Sequence, residues 1–187
     1  AMDYQTILVT VKNRIATVTL NRPEYSNAFA RESYVEIANA MKDLGSRRDV
    51  GSIVVTGAGR HFSAGGDIKR FKALIDSKEY LDGDSVADAG NMSIAIRECP
   101  KPVIAMINGV ATGAGLSCAL ACDFRVVAPS SKMIMAFVKM GLCGDTGSIY
   151  NLIRLIGPDQ AELLMMTGDD CRGADCVRMG LATLLAE

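Results

Sequence analysis

The chain has no tryptophan and a single histidine, and both scarcities bear on function. With His61 alone, no serine-hydrolase triad can be assembled in a workable chain order, and no G-x-S-x-G elbow occurs. Zinc takes closely spaced Cys and His ligands, whereas Cys99, Cys118, Cys122, Cys143, Cys171 and Cys176 form no C-x-x-C pair, so no metal is expected. A G-K-[ST] phosphate loop is missing as well. Charge of one sign is also lacking. The 20 Lys and Arg face 21 Asp and Glu, a net charge of -1 that leaves no basic stripe for nucleic acid. The basic pairs Arg47-Arg48 and Lys69-Arg70 read as solvated helix ends. No apolar run is long enough for a membrane and no signal peptide opens the chain, so a cytoplasmic protein with reduced thiols is expected. Ala1 before Met2 reads as the remnant of an expression tag.

What is present is an ordinary globular composition, 49% hydrophobic and 22% charged over 187 residues, which predicts one domain over 1–187. Ile7–Val11 and Ile15–Leu20 read as strands joined by a hairpin at Lys12-Asn13-Arg14. Tyr34, Ile37, Ala38, Met41 and Leu44 recur at helical spacing, which predicts an amphipathic helix over 31–44. Further strands are expected at 53–55, 103–107 and 124–128. Helices are expected at 68–75, 92–97, 116–122, 149–155, 159–167 and 173–179. The acidic stretch 77–90 reads as a mobile surface loop or lid, inside which a helix could form. This alternation predicts an α/β fold with parallel or spiral strand connections.

Two glycine-rich loops interrupt the pattern, His61-Phe62-Ser63-Ala64-Gly65-Gly66-Asp67 and Asn108-Gly109-Val110-Ala111-Thr112-Gly113-Ala114-Gly115-Leu116. Each follows a strand-like run and leads into a helix, whose first N–H groups lack intrahelical partners and carry the positive end of the dipole. Two such loops brought together hold one oxygen between two donors, the arrangement that stabilises an oxyanion in carbonyl chemistry. Gly113-Ala114-Gly115 is a weak dinucleotide fingerprint, because Cys118 stands where its third glycine belongs.

Several ordered motifs now converge. Ile15-Ala16-Thr17-Val18-Thr19-Leu20-Asn21-Arg22-Pro23 with Asn27-Ala28 resembles the opening of the crotonase superfamily, the enoyl-CoA hydratase/isomerase family. Val54-Val55-Thr56-Gly57 through Ile68 resembles its first oxyanion loop, and Lys101-Pro102 through Leu116 its second. Cys122-Asp123 and Leu152-Ile153-Arg154-Leu155-Ile156-Gly157 match later landmarks. The resemblance implies a spiral of ββα units, trimers or pairs of trimers, and acyl-CoA thioester substrates. Coenzyme A arrives as part of the substrate, with no separate cofactor. It also implies further C-terminal helices, which the family carries beyond the point where this chain stops. By carry-over, the N–H groups of Gly66 and Ala114 hold the thioester oxygen. Ala28, Phe29, Ala64, Asp67 and Ile68 lie along the adenine and phosphates of coenzyme A, partly through backbone atoms, and Gly113 along the substrate, with Asp67 also capping the helix after its loop.

The resemblance breaks at the acid–base residues. Family hydratases carry two glutamates, and this chain has Ser117 and Phe137 in their places. Met140-Gly141-Leu142-Cys143-Gly144-Asp145-Thr146-Gly147 instead resembles the aspartate turn of family isomerases, with Cys143-Gly144 replacing its proline. Asp145 is thus the expected base of an enoyl-CoA isomerase, although an aspartate there also suits a helix N-cap. A hydratase with an altered site and an acyl-CoA-binding scaffold without turnover are the alternatives. Ser117 is expected to orient water or substrate.

Overall fold

In the computed structural model, residues 3–80 and 82–187 are described, so the tag reading of Ala1 lies outside them. The chain opens with β1 (Ile7–Lys12) and β2 (Ile15–Leu20), paired antiparallel. Asn13 and Arg14 both take positive φ, 52° and 65°, the mirror-image turn that matches the twist of a tight hairpin. Then come α1 (Arg31–Ser46), β3 (Ser52–Gly57), α2 (Ile68–Ser77), α3 (Gly83–Arg97), β4 (Val103–Ile107), β5 (Val110–Thr112) and α4 (Ala114–Ala121). The remainder is β6 (Phe124–Val127), β7 (Lys132–Ile134), a 3-10 turn (Ala136–Met140), α5 (Ser148–Ile156), α6 (Pro158–Thr167), β8 (Asp170–Arg172), α7 (Gly173–Arg178) and β9 (Leu184–Leu185).

Two sheets share these strands. A six-stranded sheet runs β1-β2-β3-β4-β6-β9, parallel after the first hairpin, and a three-stranded sheet runs β5-β7-β8. Successive strands β4 and β5, then β6 and β7, fall one in each sheet, so the chain winds as a spiral of two strands and a helical segment per turn. This is the expected α/β crotonase-like fold. β5, β7 and β8 have three residues each, too few for the period-2 pattern that reveals a strand in sequence.

All eight residues of α4 are buried, and Ala, Gly, Ser and Cys supply six of them. Such a small-sided helix fits between layers where bulkier side chains would clash. α1 buries the five positions expected of it, and Lys101 Nζ reaches back to the Leu44 and Arg47 carbonyls at its end. Cys118 and Cys122 are core packing. Burial raises both thiols, Cys122 to about 12, which leaves them protonated and inert.

The acidic stretch corrects the lid expectation. Leu81 lies outside the described residues, but α3 begins at Gly83, nine residues before the helix expected at Met92. Asp82 caps it, accepting from Ser85 N at 2.7 Å, and Arg31 pairs with Asp88 at 3.0 Å. Two of the four carboxylates that suggested a solvated loop, Asp82 and Asp88, are its cap and its tether. Among the described residues no helix is long and apolar enough to cross a membrane.

Candidate active site

The two glycine loops meet because the backbone stitches them. Asn108 Nδ2 donates to the Gly57 and Gly59 carbonyls, each at 3.0 Å, fixing where β3 and β4 hand over to their loops. Beyond that point Ser63 N donates to Val110 O at 3.0 Å and Thr112 N donates to Ser63 O at 3.0 Å, a parallel bridge of Ser63 with Ala111. Gly66 and Ala114 each follow this bridge by three residues. The approach needs glycine at 65, where φ is +87° and a Cβ would stand 2.7 Å from Thr112 O and 3.4 Å from Ala114 N.

A second stitch exposes the donors. Phe29 N donates to Gly65 O at 2.7 Å, and Asp67 N donates to Phe29 O at 3.1 Å. The pairing skips Gly66, whose N–H is left without a protein acceptor among the described residues. Ala114 is the first residue of α4, so its N–H also has no intrahelical acceptor. Both residues line one cavity of about 210 Å³.

Of the residues expected from sequence, Ala64, Gly66, Ile68, Gly113, Ala114, Phe137 and Asp145 line this cavity. Ala28, Phe29, Asp67 and Ser117 do not line it. Phe29 holds the first loop by its backbone, and Ala28 O accepts from Arg22 Nη1 at 2.6 Å. Asp67 caps α2 by accepting from Lys69 N at 3.1 Å and pairs with Arg22 at 3.3 Å. Ser117 is fully buried and its hydroxyl faces two backbone carbonyls, Gly113 O at 3.1 Å and Asp145 O at 3.5 Å. It is in place to brace the loop, not to orient a substrate.

Asp145 is the one carboxylate among the described residues that line the cavity. The N-cap alternative fails. Gly147 is the cap of α5, Ser148 N donates to the backbone Asp145 O at 2.8 Å, and the carboxylate accepts instead from Thr146 Oγ1 at 2.7 Å. Sequence reasoning missed Tyr34, Phe71, Thr112, Lys139, Met140 and Leu142 on the same wall. Tyr34 was legible only as a core position of α1. Its ring meets Phe29 edge-on at 5.2 Å, and its hydroxyl lies 3.7 Å from where a side chain on Gly66 would begin. Burial and then the charge of Asp145 push its phenol up, so it stays protonated. The arrangement provides two free N–H groups, one carboxylate and an apolar chamber, which suits chemistry at the carbon beside a thioester carbonyl.

Known proteins place this geometry. A family model described as enoyl-CoA hydratase/isomerase matches residues 10–185. A trans-2-decenoyl-[acyl-carrier-protein] isomerase of Streptococcus mutans is 35% identical over all of this chain and 71% of its own length. A protein named probable enoyl-CoA hydratase in Mycobacterium leprae is 36% identical over 97% of this chain and 69% of its own. The solved structure of an enoyl-CoA hydratase from a Polaromonas strain superposes with a TM-score of 0.90 at 33% identity, covering 97% of this chain and 70% of that one. Likeness of sequence and of fold thus run along the same residues that carry the stitched loops, and the chain belongs to the enoyl-CoA hydratase/isomerase family of the crotonase superfamily.

Proposed function

We propose that this family enzyme is an enoyl thioester isomerase. The observation that carries the reading is the single carboxylate on the cavity wall, with Ser117 and Phe137 where hydratases hold theirs. Adding water across a double bond is served by two carboxylates, whereas moving a proton along a chain needs one. Asp145 takes the proton from C2 of a 3-enoyl thioester. The electron pair spreads into a dienolate whose oxygen is held by the Gly66 and Ala114 N–H groups. Asp145 then returns the proton at C4, leaving the double bond between C2 and C3. Ile68, Phe71, Phe137, Met140 and Leu142 supply apolar walls for the acyl chain.

The substrate is an acyl thioester of coenzyme A, which brings its own carrier, and the chemistry needs no resident cofactor. Assembly into trimers or pairs of trimers belongs to the same reading. Tyr150, Leu163 and Met166 on α5 and α6 expose apolar surface that such contacts can use.

The test is an incubation of the purified protein with a 3-enoyl-CoA in deuterated water, and of a 2-enoyl-CoA in parallel. The expected products are the conjugated 2-enoyl isomer carrying some solvent deuterium, and little or no 3-hydroxyacyl-CoA. Dominant gain of one water by mass spectrometry makes the protein a hydratase instead. A third arm with the enoyl group on an acyl carrier protein, the carrier named for the streptococcal relative, decides which thioester is preferred.

A further inference from the structure

Thr146 is the only β-branched residue among the described residues with positive φ, at 54°. That backbone region suits glycine or asparagine and disfavours a branched Cβ. Nothing in the turn itself calls for threonine. The turn closes through backbone bonds, Ser148 N to Asp145 O at 2.8 Å and Asn151 N to Gly147 O at 3.1 Å, and glycine at 146 would leave both intact with less strain. What threonine adds is its hydroxyl, which donates to Asp145 Oδ1 at 2.7 Å from a residue only 6% exposed. A strained residue kept at a site marks a function to be sought there.

We propose that Thr146 is a positioning residue: it ties one oxygen of the Asp145 carboxylate and leaves Oδ2 as the oxygen that takes and returns the proton. The inference rests on Asp145 being the base. Without the tie, the carboxylate turns about its last bond through angles at which neither oxygen faces the reacting carbon, and the alignment on which proton transfer depends is lost. The branched Cβ restricts the hydroxyl to few rotamers, which keeps the donor aimed. Ser117 Oγ faces the backbone carbonyl of the same aspartate at 3.5 Å, so main chain and side chain of Asp145 are each approached by a hydroxyl.

The experiment compares Thr146→Val, Thr146→Ser and Thr146→Gly with Asp145→Asn, measuring kcat, KM and melting temperature. Valine keeps the shape and removes the donor, so kcat is expected to fall about 10- to 100-fold, the equivalent of one hydrogen bond to a charged group, with KM little changed. Serine restores most of the rate. Glycine is slow like valine yet melts higher than the native protein, because strain is relieved; a merely structural threonine cannot give that combination. Should valine fail to fold, glycine decides: slow and stable supports the proposal, native rate overturns it. Native kcat in Thr146→Val, or a serine variant as slow as valine, also overturns it. If those results accompany an inactive Asp145→Asn, the base assignment survives and only the positioning role is lost. A fully active Asp145→Asn removes the base assignment itself.

Discussion

On one wall of the cavity the functional groups are main-chain N–H groups, and on the other a side chain. Gly66 and Ala114 sit in backbone tied down by the Ser63–Ala111 bridge, the Phe29 stitch and the Asn108 side chain. Side-chain substitution there acts mainly through shape, since the donors survive it. Asp145 stands on an exposed turn whose conformation depends on positive φ at Gly141, Thr146 and Gly147. Here a single substitution is expected to remove the chemistry and leave the fold. On the proposed reading, the donors are built into the spiral, while the acid–base group sits where one substitution can change it.

The sharpest way to break this comparison is Asp145→Asn. The variant is expected to keep its melting temperature and its affinity for an acyl-CoA while losing about 10²–10⁴ in kcat, the usual cost of removing a positioned base. Steady-state kinetics with a binding titration checks it, and native turnover would leave Asp145 as a turn residue only.

Next in size is Gly66→Pro, which deletes one N–H and is expected to reduce kcat by about 10²–10³. Phe71 stands 2.8 Å from where a side chain would begin, so circular dichroism and a melting curve must accompany the rate. A folded variant with undiminished kcat takes Gly66 out of the donor pair.

The smallest effect tests the scaffold of the donor wall. A Cβ at Gly115 would lie 2.6 Å from Ser63 Cβ and 2.8 Å from Ser63 O. Gly115→Ala is therefore expected to lower stability by about 1–3 kcal/mol, the range for overpacking a close contact. Urea unfolding measures it. An unchanged midpoint would mean that the loops can separate without cost, and the bridge of Ser63 with Ala111 would then need another explanation.

Much of the fold was legible beforehand. β2 and β4 were read to the residue, since each is a run of alternately buried side chains bounded by turn residues. The motif resemblance picked out the two loops that the structure brings together, because a glycine required by close backbone approach, as at Gly65, has few substitutes. It went astray where identity alone underdetermines direction. Ser117 is a polar residue on a helix at the family's catalytic position, yet its hydroxyl turns to backbone. Tyr34 shares the apolar stripe of α1, and nothing in its spacing with Ile37 or Ala38 says that its hydroxyl emerges into a chamber.

By itself, then, the sequence determined most of the periodic elements and the family, because these depend on local pattern and on glycine where only glycine fits. Tertiary structure decided the rest. It sets the register between two loops separated by 48 residues, Ser63 against Ala111. It makes the acidic stretch a capped helix, since Asp88 finds its partner on α1, 57 residues away. It also decides that Asp145 gives its carboxylate to the cavity and to Thr146, with its backbone carbonyl left to hold the start of α5. These outcomes depend on which groups meet across long sequence separations, a property of the packed chain that no local window contains.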